Sequence, residues 1–170
     1  MEGLAAYLDL LAAWSGRINL TGADTPARRV QVLVEPVLPA LALLGAGDLL
    51  DVGSGSGSPG LVLALLDRER PVILLEPRAR RWAFLRDAAR AAGRPDVQVL
   101  RDRHDTYAGP PAANVTLRAL RLPLASLRPL VRGGGRVLVF GPPPDPAAGW
   151  RRIGEAGERG PHVFTAGDAA

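Results

Sequence analysis

The segment of the chain with the most evident chemistry is a glycine-rich turn at residues 51–60, DVGSGSGSPG. The apolar residues 49, 50 and 52 fit a short strand before it, and the apolar run of residues 61–66 fits a helix after it. Ser58 suits the helix cap, and Pro59 suits the first turn, where a missing N–H costs nothing. Glycines let the backbone adopt positive φ and let a ligand approach closely. In open α/β folds such a turn lies at the carboxyl edge of a parallel sheet, where nucleotides bind.

Two glycine frames overlap in this turn. Residues 55–60 match the dinucleotide fingerprint G-x-G-x-x-G, with an acid at Glu76 about 20 residues further on. Residues 51–57 are similar to the first motif of class I S-adenosylmethionine-dependent methyltransferases, in which the carboxylate at Asp51 would face the methionine end of the cofactor. The methyltransferase frame is favoured, because the dinucleotide frame would begin three residues after the strand, which is late for a tight turn onto a pyrophosphate. A purely structural turn would not need four glycines in eight residues.

Glu76 is the second candidate for a ligand contact. It ends the apolar run of residues 71–75, which is typical of a buried parallel strand, and Pro77 follows it. A carboxylate at this point can accept hydrogen bonds from both hydroxyls of a ribose. The alternative is a solvated charge at the end of a strand, but the spacing from the glycine turn favours the ribose contact.

The elements that must position these residues alternate between strands and helices. We predict a first helix with Leu4, Tyr7, Leu8, Leu11 and Ile18 on one face and Trp14 in the core, because these residues follow helical spacing. Further helices are predicted from Pro26, capped by Thr25, towards Leu44, and over residues 79–92 with Gly93 as the stop. Further strands are predicted at residues 97–100, 115–117 and 136–140. The alternation indicates an α/β fold with a mostly parallel, doubly wound, Rossmann-like sheet.

The length of 170 residues favours a single domain over residues 1–170. Within it we expect an N-terminal helical segment at 1–46, a cofactor-binding core at 47–141, and a Pro-rich loop with a variable C-terminal segment at 142–170. The absence of cysteine excludes disulfides and thiolate metal sites, and two histidines are too few for an imidazole metal cluster. No signal peptide and no membrane-spanning stretch is evident in the sequence. We therefore expect a cytoplasmic monomer with no metal and no membrane contact.

All 21 basic residues are arginines, against 17 acids, which gives a formal net charge of +4. Several of them cluster between residues 78 and 103, namely Arg78, Arg80, Arg81, Arg86, Arg90, Arg94, Arg101 and Arg103. The guanidinium group binds phosphate oxygens in a bidentate manner, so this cluster fits a nucleic-acid surface. A solvated helix face explains the cluster equally well.

Several segments together resemble the GidB/RsmG family. They are WSGRINLT at 14–21, LDVGSG at 50–55, Glu76, FL at 84–85, RHD at 103–105 and RA at 118–119, and the resemblance extends from about residue 4 to about residue 141. It implies a class I methyltransferase fold with N-terminal helices. It also implies methyl transfer from S-adenosylmethionine to N7 of a guanine in 16S ribosomal RNA, with that RNA or the small ribosomal subunit as partner.

The resemblance also implies which residues contact the cofactor. The RHD segment stands where the family has Arg-Ala-Glu beside the adenine, and Arg118 matches an arginine at the mouth of the active site. The candidate cofactor-binding residues are Asp51, Gly53, Ser54, Gly55, Gly57, Ser58, Glu76, Arg103, His104, Asp105 and Arg118. Alternatively, Arg103 and Asp105 pair only with each other across a loop, and His104 is a solvated loop residue.

The chain departs from the family pattern on the side expected to hold RNA. Val32 and Glu35-Pro36 stand where the family carries His and Asp-Ser, and Phe140 replaces a lysine before Gly141. A lysine-bearing C-terminal strand segment is shortened or missing. Cofactor binding is therefore better supported by the sequence than RNA methylation.

The implied reaction needs few catalytic groups. Guanine N7 already carries a lone pair, so in-line attack on a sulfonium methyl group depends on alignment rather than on a base. We therefore expect no catalytic residue in the strict sense, and Arg118 and Asp105 are positioning candidates. A hydroxyl or amine substrate would need a base, for which Asp105 or Glu35 would serve. The alternatives are a divergent methyltransferase for another RNA or a small molecule, a non-catalytic binding module, and a nicotinamide-dependent oxidoreductase.

Overall fold

The computed structural model describes residues 2–145, 147–157 and 160–167. Their centre is a seven-stranded sheet in the order β3-β2-β1-β4-β5-β7-β6. The strands are β1 (Leu49–Val52), β2 (Val72–Leu75), β3 (Gln98–Leu100), β4 (Ala112–Arg118), β5 (Val131–Phe140), β6 (Trp150–Glu155) and β7 (His162–Ala166). Strands β1 to β5 pair in parallel, whereas β7 runs antiparallel to both β5 and β6. The predicted mostly parallel, doubly wound sheet is confirmed.

The order of the strands reverses direction between β1 and β4. The chain moves outward from β1 to β2 and β3 and then returns to place β4 on the other side of β1. This is a topological switch point, and in open α/β sheets ligands bind outside the carboxyl ends of the strands at such a point. The glycine turn after β1 lies at this edge, as predicted.

The helices are α1 (Glu2–Ser15), α2 (Pro26–Arg29), α3 (Gly60–Leu66), α4 (Ala79–Ala91) and α5 (Leu124–Leu127). Helix α1 buries Tyr7 and Leu11 as predicted. Trp14 makes an edge contact with Phe84 of α4, with ring centroids 5.8 Å apart, and so belongs to the core. Ile18 follows the end of the helix but packs against the same core. None of the described helices is both long and apolar enough to cross a bilayer.

The segment after Thr25 is wound differently from the prediction. Thr25 does cap it, because its Oγ1 accepts a hydrogen bond from Arg28 N–H at 3.2 Å. However, only Pro26–Arg29 is α-helical, Val30–Val34 forms a π-turn, and Glu35–Leu43 is a 3₁₀-helix. Pro36 and Pro39 lack the N–H that an α-helix would use, so a continuous α-helix to Leu44 was a wrong expectation.

The C-terminal part contains strands that the sequence did not indicate. Residues 142–170 were expected to form a Pro-rich loop and a variable segment, yet β6 and β7 lie there. The described residues 141–145 and 147–149 join β5 to β6 without a helix. Strand β7 pairs with β5 and β6 with β7, so this hairpin extends the sheet at the β5 edge.

Arg94 is not part of a basic surface. Its side chain is only 2% exposed. Its guanidinium group pairs with Asp96 at 2.8 Å and donates to the carbonyl oxygens of Ala64 and Arg70. This arginine therefore links the end of α3 to the loops before β2 and β3, and its assignment to the arginine cluster is corrected.

Candidate active site

The glycine turn depends on backbone conformations that residues with side chains rarely adopt. Gly53, Gly55 and Gly57 have φ angles of 69°, 53° and 96°. Ser54 between them is buried, its N–H donates to Leu75 O at 2.9 Å, and its hydroxyl donates to Asp51 O at 3.1 Å. The turn is therefore fixed by its own backbone and by its attachment to β2.

Ser58 has a different role from the predicted helix cap. Helix α3 begins after Pro59 without a side-chain cap. The Ser58 hydroxyl instead donates to Leu33 O at 2.7 Å and accepts from Arg118 Nη1 at 2.9 Å. The Ser58 hydroxyl, which sequence rules assign to the helix cap, is therefore used in tertiary hydrogen bonds instead.

Glu76 connects the glycine turn to the loop after β2. Its Oε2 accepts from Gly55 N–H at 2.9 Å and its Oε1 accepts from Arg78 N–H at 2.8 Å. The side chain is only 3% exposed, so the alternative of a solvated strand-end charge is wrong. Each carboxylate oxygen has a second lone pair that a ligand hydroxyl could use.

A pocket of about 260 Å³ opens beside Glu76, and we call it the Glu76 pocket. It is lined by Val52, Gly53, Glu76, Pro77, Arg78, Arg81, Asp102, Arg103, His104, Leu120 and Leu122. Among the predicted cofactor-binding residues, Gly53, Glu76, Arg103 and His104 line it together. Arg81 also donates to Asn19 O at 2.8 Å, so the pocket wall is tied to the segment after α1.

Arg103 and Asp105 form an exposed bidentate ion pair. Arg103 Nε and Nη2 donate to the two carboxylate oxygens of Asp105 at 2.9 and 3.0 Å. These hydrogen bonds lower the pKa of Asp105 to about 2. Asp105 is therefore ionised and occupied by its partner, which makes it a weak candidate for a general base. Arg103 lines the Glu76 pocket, but Asp105 does not.

Asp51 lies beneath the glycine turn rather than in the pocket. It is 1% exposed, and its Oδ1 accepts from the Thr116 hydroxyl at 2.6 Å. Burial raises the pKa of Asp51 to about 6. Its Oδ2 has no hydrogen-bond partner within the described chain, and a Cβ at position 60 would collide with the carboxyl group. Gly60 is therefore required where α3 starts over this side chain.

Arg118 and Tyr7 hold the N-terminal helices against the turn. Arg118 Nη2 donates to Val32 O at 2.7 Å, which complements its contact with Ser58, and burial lowers its pKa. The Tyr7 hydroxyl donates to Ser56 O at 2.8 Å, and burial raises its pKa. Gly57 lies under the Tyr7 ring, because a Cβ there would be 3.1 Å from Cε2. Sequence periodicity placed Tyr7 in the core but gave no signal for this contact.

A second depression, which we call the Arg118 cleft, lies across the residues that follow β4 from the Glu76 pocket. It has a volume of about 740 Å³. It is lined by Arg28, Gln31, Val32, Pro36, Arg118, Ala119, Phe140, Gly141, Pro142, Gly160 and His162. Val32 and Phe140, two of the departures from the family pattern, line this cleft, whereas Glu35 does not.

The Glu76 pocket and the Arg118 cleft flank the same turn. Ala119 lines the cleft and adopts a left-handed conformation with φ of 57°. The next residue, Leu120, lines the pocket and covers Gly53 so closely that a Cβ there would collide with it. Two ligands bound in the two depressions would therefore approach each other at the carboxyl ends of β1 and β4.

Comparison with known proteins identifies relatives of the chain. A family model described as GidB, rRNA small subunit methyltransferase G, matches residues 1–141. Ribosomal RNA small subunit methyltransferase G of Halorhodospira halophila is 41% identical over 137 residues, which cover 78% of this chain and 63% of the relative. The protein of the same name from Paramagnetospirillum magneticum is 43% identical over 122 residues, which cover 71% of this chain and 58% of the relative. The chain thus spans less than two thirds of these relatives.

Solved structures support the fold. An RNA methyltransferase from Salinibacter ruber in complex with S-adenosyl-L-homocysteine has a TM-score of 0.60 and 23% identity, over 79% of this chain and 92% of that chain. A SAM-dependent methyltransferase from Aquifex aeolicus has a TM-score of 0.59 and 19% identity, over 84% of this chain and 92% of that chain. Both share the architecture of a class I methyltransferase.

Proposed function

Because this chain belongs to the family of rRNA small subunit methyltransferase G proteins, GidB, we propose that it is an S-adenosylmethionine-dependent methyltransferase. Its substrate in this proposal is the N7 atom of a guanine in 16S ribosomal RNA of the small subunit. The observation that carries the proposal is the position of the Glu76 pocket and the Arg118 cleft on either side of residues 118–120. Transfer of a group between two ligands requires two such neighbouring sites.

The residues of the Glu76 pocket fit the adenosine part of the cofactor. The carboxylate of Glu76 offers free lone pairs to a ribose diol, and Gly53 lines the pocket next to the Leu120 side chain that covers it. Arg103 and His104 form the wall where the adenine would lie. When bound, the cofactor supplies an electrophilic methyl group on a sulfonium centre.

The remaining predicted residues act indirectly in this proposal. Asp51, Ser54, Gly55, Gly57 and Ser58 shape the glycine turn through contacts within the chain. Their partners are, in this order, Thr116, Leu75, Glu76, Tyr7 and Arg118. Asp105 positions Arg103 through the bidentate pair. Arg118 positions the cleft wall by joining the π-turn at Val32 to Ser58.

The substrate side requires alignment rather than proton transfer. Guanine N7 attacks through its own lone pair, so the chain needs only to hold the base in line with the methyl group. The described lining of the Arg118 cleft contains two arginines and a histidine and no carboxylate. This charge suits an electron-rich base joined to phosphates.

Exposed arginines that extend from the Glu76 pocket along α4 supply a surface for the RNA backbone. Arg78, Arg80, Arg86 and Arg90 are exposed on or just before α4, and Arg101 and Arg103 are exposed after β3. Arg86 also stacks over the Trp82 ring, 4.7 Å from its centroid. We further expect the protein to work as a cytoplasmic monomer without a metal ion.

Isothermal titration calorimetry tests the cofactor site first, with S-adenosylmethionine and S-adenosylhomocysteine as ligands. Micromolar binding that is lost in Asp51→Ala and Glu76→Ala supports the proposal. Absence of binding by the folded wild-type protein overturns it, and the chain would then be a non-catalytic relative.

The substrate is tested with small ribosomal subunits purified from a strain that lacks this methylation. Transfer of a tritiated methyl group to a guanine of 16S ribosomal RNA supports the proposal. Cofactor binding without transfer would instead favour a divergent methyltransferase for another RNA or a small molecule, which the apolar Val32 and Phe140 in the cleft would suit.

A further inference from the structure

His162 brings a polar side chain into the Arg118 cleft from outside the segment that matches the family. It is the first residue of β7, pairs in register with Val139 of β5, and lines the cleft. Its side chain is 19% exposed. The family model ends at residue 141, so His162 lies beyond the matched segment.

Strand β6 fixes the orientation and tautomer of the His162 ring. Arg152 Nη2 lies 2.8 Å from His162 Nδ1, and Arg152 also pairs with Glu155. A guanidinium group can only donate, so Nδ1 accepts from Arg152 at 2.8 Å rather than donating to Glu155 Oε2, which lies farther away at 3.5 Å. The neutral ring therefore carries its proton on Nε2, where it is a donor.

The Nε2 donor is available to a ligand. It makes no hydrogen bond to any of the residues that the structure describes. Arg152 and Glu155 do not line the Arg118 cleft, whereas His162 does. The ring edge that carries Nε2 is thus the edge opposite the one that β6 holds.

The other polar side chains of the cleft use part of their hydrogen-bonding capacity within the chain. Arg118 donates to Ser58 and Val32, and Arg28 Nη1 donates to Gln31 Oε1 at 2.6 Å. Val32, Pro36 and Ala119 supply apolar surface that fits the face of a purine. A donor on one wall and apolar surface around it are the features that select one planar base over another.

We propose that His162 selects guanine in the Arg118 cleft by donating a hydrogen bond from Nε2 to the guanine O6 atom. This inference rests on the proposed function. O6 is adjacent to N7, so a donor on O6 also orients the nucleophilic lone pair. Adenine presents an amino group at the same position, and two donors would face each other there. His162 is accordingly a specificity-determining residue for this site.

The first test measures kcat/KM for methyl transfer to unmethylated small ribosomal subunits. We expect His162→Ala to lower kcat/KM about tenfold, the size expected for one lost hydrogen bond. His162→Gln keeps a neutral N–H donor and should remain within about threefold of wild type. Arg151→Gln, an exposed neighbour on β6, is the matched control and should not change the rate. Binding of S-adenosylhomocysteine should be equal in all four proteins.

The second test uses small subunits assembled with 2-aminopurine in place of the methylated guanine, since this base keeps N7 and lacks O6. On this substrate, kcat/KM of the wild type should fall about tenfold relative to guanine-containing subunits. The kcat/KM of His162→Ala should be the same on both substrates. The proposal is overturned if the fall in kcat/KM caused by His162→Ala and the fall caused by 2-aminopurine multiply when the variant acts on that substrate. It is also overturned if His162→Ala leaves kcat/KM on normal subunits unchanged. Rescue by His162→Arg but not by His162→Gln also overturns it, because that pattern indicates a phosphate contact. If wild type methylates no subunit at all, the proposed function fails instead.

Discussion

The carboxylate of Glu76 accepts a hydrogen bond from the backbone N–H of Gly55 at 2.9 Å, so the end of β2 holds the turn that follows β1. Its second oxygen is bound to Arg78 N–H, which fixes the start of α4 in the same way. One buried side chain therefore joins the two loops beside the Glu76 pocket, the turn after β1 and the loop between β2 and α4. A ribose hydroxyl would meet an acceptor that is already oriented.

Glu76→Gln should weaken binding of S-adenosylhomocysteine by at least about tenfold. The amide nitrogen would face one of the two backbone N–H groups, so a donor would oppose a donor and the loop would shift. Calorimetry measures the effect, with Glu69→Gln as the control because Glu69 is exposed and remote from the pocket. Equal affinity in both variants would contradict the assigned contact.

Tyr7→Phe should destabilise the protein by about 1 kcal/mol and weaken cofactor binding about threefold or more. The variant keeps the buried ring but leaves Ser56 O without its donor. Denaturant unfolding and calorimetry measure the two effects. Tyr107→Phe is the matched control, because the Tyr107 hydroxyl makes only a long 3.4 Å contact with Pro110 O. If both variants behave alike, Tyr7 does not position the turn.

Arg118→Lys should reduce methyl transfer by about tenfold or more while changing the affinity for S-adenosylhomocysteine less than threefold. An ammonium group cannot span both Ser58 Oγ and Val32 O as the guanidinium does. The cleft wall would therefore loosen while the Glu76 pocket stays intact. Steady-state kinetics on small subunits checks this, with exposed Arg121→Lys as the control. A parallel loss of cofactor affinity would count against the separation of the two sites.

The buried carboxyl of Asp51 should give the stability of the protein a specific pH dependence. Its pKa rises from 3.8 to about 6 on folding, so the folded state binds more protons between these values. The free energy of unfolding therefore falls as pH rises through this window, by about 2–3 kcal/mol from this group.

Asp51→Asn removes this contribution, while its amide oxygen can still accept from Thr116. We expect its stability relative to wild type to increase by about 2–3 kcal/mol between pH 4 and pH 7.5. Urea unfolding at the two pH values measures the difference. Asp87→Asn, at an exposed position, should follow wild type, and an identical pH slope in all three proteins would refute the assignment.

The cofactor half of the fold was predictable from sequence because its signals are local. Glycines at alternate positions and an acid at the end of an apolar strand each have a direct physical reason to stand where they do, and both lie at the switch point. Thr25 was also recognised correctly, since a cap needs only the next three residues.

The remaining features depend on partners that are distant in the chain. Ser58 fits a helix cap locally, but Arg118, 60 residues further on, uses its hydroxyl. Arg94 resembles its surface neighbours in sequence, yet Ala64 and Asp96 enclose its side chain. Strand β6 combines Gly154 with charged residues and β7 is only five residues long, so their sequence signals are weak, and the pairing of β7 with β5 and of β6 with β7 decides their structure.

The register between Val139 and His162 places the β6–β7 hairpin on the β5 edge, beyond the last residue that matches the family. Most of the Arg118 cleft is formed by residues between 28 and 142, and the hairpin adds His162 to one of its walls. Replacement of β6 and β7 would therefore change one wall of the Arg118 cleft and leave the contacts of the glycine turn with Glu76 and Tyr7 in place.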